Sequence, residues 1–267
     1  MIGIVNMTVD SFSDGGLYLT AEKAIAHARE LRSHGADVID LGPAASHPRS
    51  EPVTADEERR RLAPVLEQLV AEGIPVSVDS FLPETQRYAL AHGAGYLNDI
   101  QGFPSDDLYP RLAESGCKLI VMHSIQRRGR ATVVPTDPEE VTAGIDGFFA
   151  ERLGRLQAAG IAADRLIIDP GLGFFLGSNA EPSIAVLSRI RRLKERFGLP
   201  VLISASRKSF LRTITGRPIV HIGPATLAAE IYAASQGVDY IRTHDVAALH
   251  DALTVLNTMA GNEPPPQ

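Results

Sequence analysis

The chain has one cysteine and no tryptophan among its 267 residues. A single cysteine, Cys117, cannot form an internal disulfide, so a small disulfide-linked fold is excluded. No apolar run approaches the roughly 18 to 20 residues that span a membrane, and no N-terminal segment has the pattern of a signal peptide. We therefore expect a soluble cytoplasmic protein with no membrane partner.

The chain also has no excess of basic over acidic residues. The formal net charge is −6 and the pI is about 5.8. Such a chain has no general attraction for phosphate backbones, so nucleic acid is not an expected partner, and any anionic ligand must be held by local cations. The composition, 44% hydrophobic and 22% charged, is that of a globular protein with one large domain or two modest ones.

Short apolar segments rich in β-branched residues recur along the chain, and a segment with helical periodicity follows each one. Eight such units predict a (β/α)₈ TIM barrel: a single α/β domain over residues 1–260, with a disordered tail at 261–267. A doubly wound open sheet is the alternative, weakened because no GxGxxG turn follows the first strand. The predicted strands are residues 3–6, 36–41, 75–79, 95–100, 118–123, 165–169, 200–205 and 239–244.

Nearly every predicted strand is apolar until its carboxyl end and carries a polar side chain there. These residues are Asn6, Asp40, Asp79, Asn98 with Asp99, His123, Asp169, Ser204 to Lys208, and Arg242 with His244. An Asp or Asn at one strand end is often only a turn former. In a barrel, however, all eight positions converge on the face where active sites of this fold lie.

Two carboxylates and an amide suggest what this face binds. Asp79, Asp169 and Asn98 can bind the donor-rich edge of a heterocycle or stabilise positive charge that develops on it. They could equally ligate a metal. The sequence has no HxH pair after the first strand and no HExxH helix, but a Mg²⁺ ion held mainly by substrate phosphates remains open.

Cations follow the last two predicted strands, where barrels of this kind frequently bind phosphate. Lys208, Arg242 and His244 are the local cations that an acidic protein needs for an anionic leaving group; the alternative is that they only cap helix ends. The long polar loop at 6–16 is expected to act as a lid. The residues alone thus indicate an enzyme that acts on a phosphorylated ring compound.

Several stretches, in this order, resemble the dihydropteroate synthase family: GIVNMTVDSFSDGG, GADVIDLG, VSVDS, LNDI, VMH, DPGLGF, SRKSF and IRTHDV, over residues 2 to about 246. The resemblance implies that p-aminobenzoate displaces pyrophosphate from 6-hydroxymethyl-7,8-dihydropterin diphosphate to give 7,8-dihydropteroate, with Mg²⁺ on the diphosphate. It also implies a homodimer, formed by helices near the carboxyl end such as 226–237.

The resemblance also implies roles for individual residues. The catalytic and pterin-binding positions are Asp79, Asn98, Asp169 and Lys208, with Asp40 near the pterin. Asn6 matches the residue that contacts the metal and the diphosphate, and Arg242 and His244 match the diphosphate site. The residues implied at the p-aminobenzoate site are Ser46, His47, Pro48, Phe174 and Ser206.

Two stretches depart from the family pattern. Residues 42–50 read GPAASHPRS where the family has approximately GGESTRPG, so Ser46 and His47 replace a Thr and an Arg. Residues 169–177 carry Phe175 and Leu176 where the family commonly has Gly and Lys. Both departures resemble the mobile-element-borne, sulfonamide-insensitive branch. The alternatives are a sulfonamide-sensitive synthase with a changed loop, a pterin-binding methyltransferase, and a non-catalytic paralogue.

Overall fold

A computed structural model describes residues 1–7, 20–45, 47–48, 50–126, 129 and 131–261. The eight predicted strands are confirmed in this part of the chain, with boundaries that differ by at most two residues. They are β1 Ile2–Asn6, β2 Val38–Gly42, β3 Val76–Asp79, β4 Tyr96–Asp99, β5 Lys118–Met122, β6 Leu166–Asp169, β7 Leu202–Ile203 and β8 Tyr240–Thr243.

All strand pairs are parallel, and neighbours follow the order β6-β5-β4-β3-β2-β1-β8-β7. The two ends of this order meet through a bridge between Ile168 and Val201, and the Ile168 N–H donates to the Pro200 carbonyl oxygen at 2.9 Å. The sheet therefore closes into the predicted barrel, and the alternative of an open doubly wound sheet is wrong.

Helices surround the barrel. In the described ranges these are α1 Ala21–Ser33, α2 Ala55–Ala71, α3 Pro83–Ala91, α4 Tyr109–Glu114, α5 Pro138–Ala158, α6 Glu181–Ser188, α7 Ile190–Phe197, α8 Ser209–Thr215, α9 Gly223–Ser235 and α10 Val246–Met259. Threonine hydroxyls cap α1 and α2: Thr20 accepts from the Lys23 N–H and Thr54 from the Glu57 N–H. Over the same residues, none of these helices has the length and apolar character to cross a membrane.

Alternation along the strands sorts side chains between two cores. One set points into the barrel, where Ile2, Val38, Ile120, Ile167 and Leu202 form an apolar layer. The other set, including Ile39, Val78 and Leu97, points outward and packs under the helices. Toward the carboxyl ends of the strands the inward positions become polar. The barrel interior is therefore apolar at the amino ends of the strands and polar at their carboxyl ends, and this polar opening is called the barrel mouth below.

Asp99 does not join that mouth, contrary to the prediction from the sequence. It follows the inward Asn98 by one residue and therefore points outward, fully buried behind the sheet. Its carboxylate accepts hydrogen bonds from Gln86 Nε2 at 2.9 Å, the Gln101 N–H at 2.7 Å and the Phe103 N–H at 3.1 Å. Asp99 thus holds the turn after β4, in which Phe103 has a left-handed backbone with φ of 60°.

Candidate active site

An ion-pair network occupies the barrel mouth. Arg242 Nε lies 2.6 Å from Asp40 Oδ2, and Arg242 Nη2 lies 2.8 Å from Asp79 Oδ2. The geometry follows from the sheet, because β1 lies between β2 and β8, and Asp40 and Arg242 both occupy inward positions. Arg242, predicted from the sequence as a cation of an anion site, is thus paired with two acids, and an anionic ligand would have to share the guanidinium with them.

The two acids predicted to face the substrate titrate near neutral pH. Burial raises the pKa of Asp79 to about 7, although the charge of Arg242 opposes the shift. Burial raises the pKa of Asp169 to about 6, opposed by the Gly171 N–H, which donates to its Oδ1 at 2.8 Å. Burial lowers the pKa of Lys208 to about 8. Asp79, Asp169 and Lys208 therefore all have pKa values close to neutral pH.

Several buried polar atoms at the mouth have no hydrogen-bond partner among the described residues. These atoms are Asp40 Oδ1, Asn98 Oδ1, Ser77 Oγ and Ser204 Oγ. All four side chains occupy inward positions on their strands or directly after them. Unpaired buried polar groups are rare and commonly mark ligand sites. Ser77 was missed from the sequence, although counting in steps of two from Asp79 would have placed it inside the barrel.

His244 links two of the predicted residues. The Asn6 Nδ2 group donates to His244 Nε2 at 3.3 Å, so the ring proton lies on Nδ1, which donates to Ser206 Oγ at 2.8 Å. Burial lowers the pKa of His244 well below its ordinary value, and the nearby Arg207 and Arg242 lower it further. His244 is therefore neutral and offers hydrogen bonds, which corrects its predicted role as a cation.

Lys208 lies where the polar mouth meets the aromatic residues after β6. Its Nζ lies 4.8 Å from the centre of the Phe175 ring, within the range of a cation–π contact. Gly173, with φ of 66°, makes this approach possible, because a Cβ there would lie 3.1 Å from Ser209 Oγ and 3.4 Å from Lys208 Cβ. The glycine thus lets the segment after β6 pack directly onto Lys208.

Beside Lys208 opens a cavity of about 450 Å³. Its lining includes three residues predicted for the aminobenzoate site, His47, Pro48 and Phe174, and the His47 and Phe174 rings meet edge to face at 5.6 Å. Ser206 lies behind this cavity, bonded to His244. Further lining residues that were not predicted are Ala131, Val133, Leu172, Ser209, Arg212 and Ile219.

Three predicted features lie wholly or mostly outside the described residues, two of them at the site. One is Ser46 of the aminobenzoate loop, and the other is all but the first two residues of the expected lid at 6–16. The predicted tail at 261–267 likewise lies outside them, apart from Gly261. Apart from these, the residues implied at the pterin, diphosphate and aminobenzoate sites lie at the carboxyl-terminal end of the barrel, whereas Asp99 points outward behind the sheet and the His123 ring packs against Phe148 of α5.

Comparisons with known proteins agree with this arrangement. A family model described as pterin binding enzyme matches residues 2–244. Dihydropteroate synthase type-2 of Escherichia coli is 55% identical and covers 96% of this chain and 94% of its own length. Dihydropteroate synthase of Escherichia coli strain K12 is 33% identical over 98% of this chain and 93% of its own length.

A solved structure of Xanthomonas albilineans dihydropteroate synthase with 4-aminobenzoic acid is 39% identical to this chain. It superposes with a TM-score of 0.87 and covers 97% of this chain and 92% of its own length. The family match covers all eight strands and contains every described site residue. The chain therefore belongs to the pterin binding enzyme family and, within it, to the dihydropteroate synthase family.

Proposed function

We propose that the chain condenses 6-hydroxymethyl-7,8-dihydropterin diphosphate with p-aminobenzoate to form 7,8-dihydropteroate and pyrophosphate. One observation carries this proposal: Lys208, which interacts electrostatically with Asp79 and Asp169 at the mouth, also lines the cavity that contains Phe174. A polar pocket for a heterocycle thus adjoins a pocket for a flat aromatic ring. Membership of the dihydropteroate synthase family favours this reaction over a methyltransferase or a non-catalytic paralogue.

Recognition of the pterin follows from acceptors at the barrel mouth, of which Asn98 Oδ1 is left unpaired among the described residues. A pterin ring presents N–H donors along one edge, and Asp169 and Asn98 offer carboxylate and amide oxygens from neighbouring parts of the mouth. A buried acceptor without a hydrogen bond costs free energy. A ring whose N–H groups donate to these acceptors is therefore bound more tightly than a ring without such donors.

The charges also fit a stepwise displacement. The bond between the pterin methylene carbon and the diphosphate oxygen breaks, and its electron pair leaves with the diphosphate. Asp79 and Asp169 then face the cation that forms on the ring, and this attraction is stronger in the transition state than in the ground state. The arylamine nitrogen uses its lone pair to form the new C–N bond and releases one proton.

The diphosphate is expected at the opposite side of the mouth, near Asn6, Arg242 and His244. His244 is neutral, so it supplies a hydrogen bond, and Arg242 supplies the charge. An Arg side chain has five N–H donors. As diphosphate leaves, Arg242 can therefore exchange its hydrogen bond to Asp79 for a hydrogen bond to an oxygen of the departing diphosphate. Asp79 then gains negative character where the cation develops.

Mg²⁺ fits this side of the site as an ion held mainly by the substrate. The Asn6 amide nitrogen is engaged with His244, which leaves Oδ1 as a ligand, and Gly42 keeps space around that oxygen because a Cβ there would lie 3.2 Å away. No group of three or more His, Cys, Asp or Glu side chains suited to a metal occurs among the described residues. When bound, Mg²⁺ would neutralise diphosphate charge.

The aminobenzoate cavity supports a further proposal, that the chain excludes sulfonamides. These drugs resemble p-aminobenzoate but carry a bulkier tail, and the His47 and Phe174 rings together narrow the cavity. Admitting a larger ligand would strain this wall by about 1–3 kcal/mol, or roughly 5- to 150-fold in affinity. The higher identity to the type-2 synthase than to the strain K12 synthase agrees with the branch that the sequence resembles.

We also propose a homodimer. An apolar patch on α9 and α10 is exposed: Tyr232, Val255, Leu256 and Met259 have exposed fractions of 44%, 51%, 42% and 80%. Helices α9 and α10 pack against each other, so these residues share one side of the barrel. A patch of this kind commonly marks a protein interface. It coincides with the part of the chain from which the sequence predicted the contact.

Complementation tests the function in cells. The gene is expressed in bacteria that lack their own dihydropteroate synthase and are grown without folate products. Growth supports the synthase, and growth that persists in sulfamethoxazole supports drug exclusion. Failure to grow with folded protein present contradicts the synthase. Phe174→Ala should lower the tolerated drug concentration about tenfold, whereas Val133→Ala, on the same cavity wall, is the matched control.

A further inference from the structure

The turn that carries Lys208 has an unusual backbone. Arg207, directly before Lys208, has φ of 57°, in the left-handed region that residues with a Cβ rarely occupy. This one residue reverses the chain between the end of β7 and the start of α8, so that Lys208 faces the barrel mouth. Such a conformation persists only where the surroundings hold it.

A threonine on a different helix holds this turn. Thr226, in the first part of α9, is 5% exposed, and its Oγ1 accepts a hydrogen bond from the Arg207 N–H at 3.2 Å. The Lys208 N–H in turn donates to the Ala205 carbonyl oxygen at 3.2 Å, which closes the turn. The Thr226 hydroxyl therefore acts directly on the strained residue.

Packing alone does not fix the turn on that side. A cavity of about 300 Å³ lies between Arg207 and α9, bordered also by Ser206, Thr226 and Glu230. The turn therefore has open space on this side, and the hydrogen bond to Thr226 Oγ1 fixes the orientation of the Arg207 peptide group there.

We propose that Thr226 is a positioning residue for the reaction: by holding the left-handed backbone of Arg207, its hydroxyl keeps the Lys208 ammonium in the pterin site. Thr226 borders the cavity behind the turn, Lys208 borders the aminobenzoate cavity, and Arg207 lines both. The effect passes through Arg207, whose backbone N–H donates to the Thr226 hydroxyl and which directly precedes Lys208. The inference rests on the proposed synthase function.

The test compares Thr226→Val, which keeps the shape but removes the hydroxyl, with Thr226→Ser, which keeps the hydroxyl. For Thr226→Val we expect kcat/KM for pterin diphosphate to fall about tenfold, with the KM for p-aminobenzoate changed less than about threefold. Lys208 should also become more hydrated, so the alkaline limb of the pH profile should move upward from about 8. Thr226→Ser should resemble the wild type.

Two further measurements keep the test decisive. Thermal unfolding shows whether each variant is folded, and Thr226→Ala replaces Thr226→Val if the latter is not. Calorimetric titration with 6-hydroxymethylpterin reads the pterin site without turnover, so a wild type that binds but does not turn over would count against the function alone. The inference is overturned if Thr226→Val keeps wild-type pterin binding and pH profile, or if Thr226→Ser loses as much as Thr226→Val.

Discussion

Arg242 has two roles at the barrel mouth: it pairs with two acids, and we propose that it also binds the diphosphate. Without ligand it pairs with both Asp40 and Asp79, and its positive charge offsets the repulsion between these two neighbouring carboxylates. The sequence predicted the residue and its location but not this pairing, because the partners Arg242 and Asp40 are 202 positions apart in the chain. The pairing of β1 with both β2 and β8 brings the two residues together.

Removing this guanidinium should cost stability as well as activity. In Arg242→Met the buried Asp40 and the partly buried Asp79 lose their partner, and breaking a buried pair in this way costs about 3–5 kcal/mol. Urea unfolding at pH 7.5 measures the loss. The double variant Arg242→Met with Asp40→Asn removes one of the stranded charges and should recover part of it. Equal unfolding free energies for Arg242→Met and the wild type would contradict this account.

The pH dependence of turnover should report the same site. Asp79 and Asp169 have pKa values raised to about 7 and 6, so kcat/KM for pterin diphosphate should rise as they lose protons between about pH 6 and 7. Lys208 has a pKa lowered to about 8, so the rate should fall as it loses its charge above that pH. Lys208→Met should abolish the alkaline limb and keep the acid limb. A flat wild-type profile would count against these roles.

At the scale of elements, α9 supports the site from behind the sheet. Besides Thr226 it carries Glu230, which is 1% exposed and hydrogen-bonds to Thr243 of β8. Burial raises the pKa of Glu230 from its ordinary 4.5 to about 8, so this acid is neutral at pH 7. The helix therefore contacts β8 through a protonated carboxyl group, beside the residues that we propose to bind diphosphate.

Glu230→Gln tests this assignment through stability. The folded protein keeps the Glu230 proton up to about pH 8, whereas the unfolded chain releases it near 4.5. The favourable contribution is therefore full below pH 4.5 and is lost as the pH rises toward 8. Gln cannot titrate, so its advantage over Glu in urea unfolding should grow from pH 5 to pH 8. A difference that stays constant between these pH values would show that Glu230 is ionised in the fold.

Strand parity explains which predictions from the sequence succeeded. Apolar runs with polar ends predicted all eight strands, and steps of two from Asp79 or Arg242 identify the inward side chains. Asn98 and Asp99 are adjacent polar residues that point to opposite sides, so composition at a strand end could not separate a ligand group from a structural acid. The position of the ring proton on His244 also depends on Asn6 and Ser206, which lie beside it in the barrel but 238 and 38 positions away in the sequence.

At the scale of the whole molecule, the barrel explains why a site spread from Asn6 to His244 could be predicted at all. Parallel strands deliver their carboxyl ends to one face whatever their separation in sequence. The details of the rim depend on loop contacts such as that between His47 and Phe174, which have no sequence period. The rim is also where this chain departs from the family pattern.

Assembly gives a separate prediction at this scale. If α9 and α10 form a homodimer, Val255→Asp should convert dimer to monomer in sedimentation velocity, because a charge in an apolar interface is left unpaired. Ile184→Asp, on α6, is the matched control, since Ile184 is exposed to a similar extent at 47% and should leave the dimer intact. A monomeric wild type would contradict the proposed interface.

We propose above that the inward-facing polar residues at the barrel mouth catalyse a condensation of pterin diphosphate with p-aminobenzoate that releases pyrophosphate. This proposal is tested most directly by following dihydropteroate and pyrophosphate together, with purified protein, Mg²⁺, pterin diphosphate and p-aminobenzoate. The account predicts both products in equal amounts for the wild type, and a rate at least about a hundredfold lower for Asp169→Asn, which removes the charge that faces the cation. Absence of either product from folded wild-type protein, or full activity of Asp169→Asn, would contradict it.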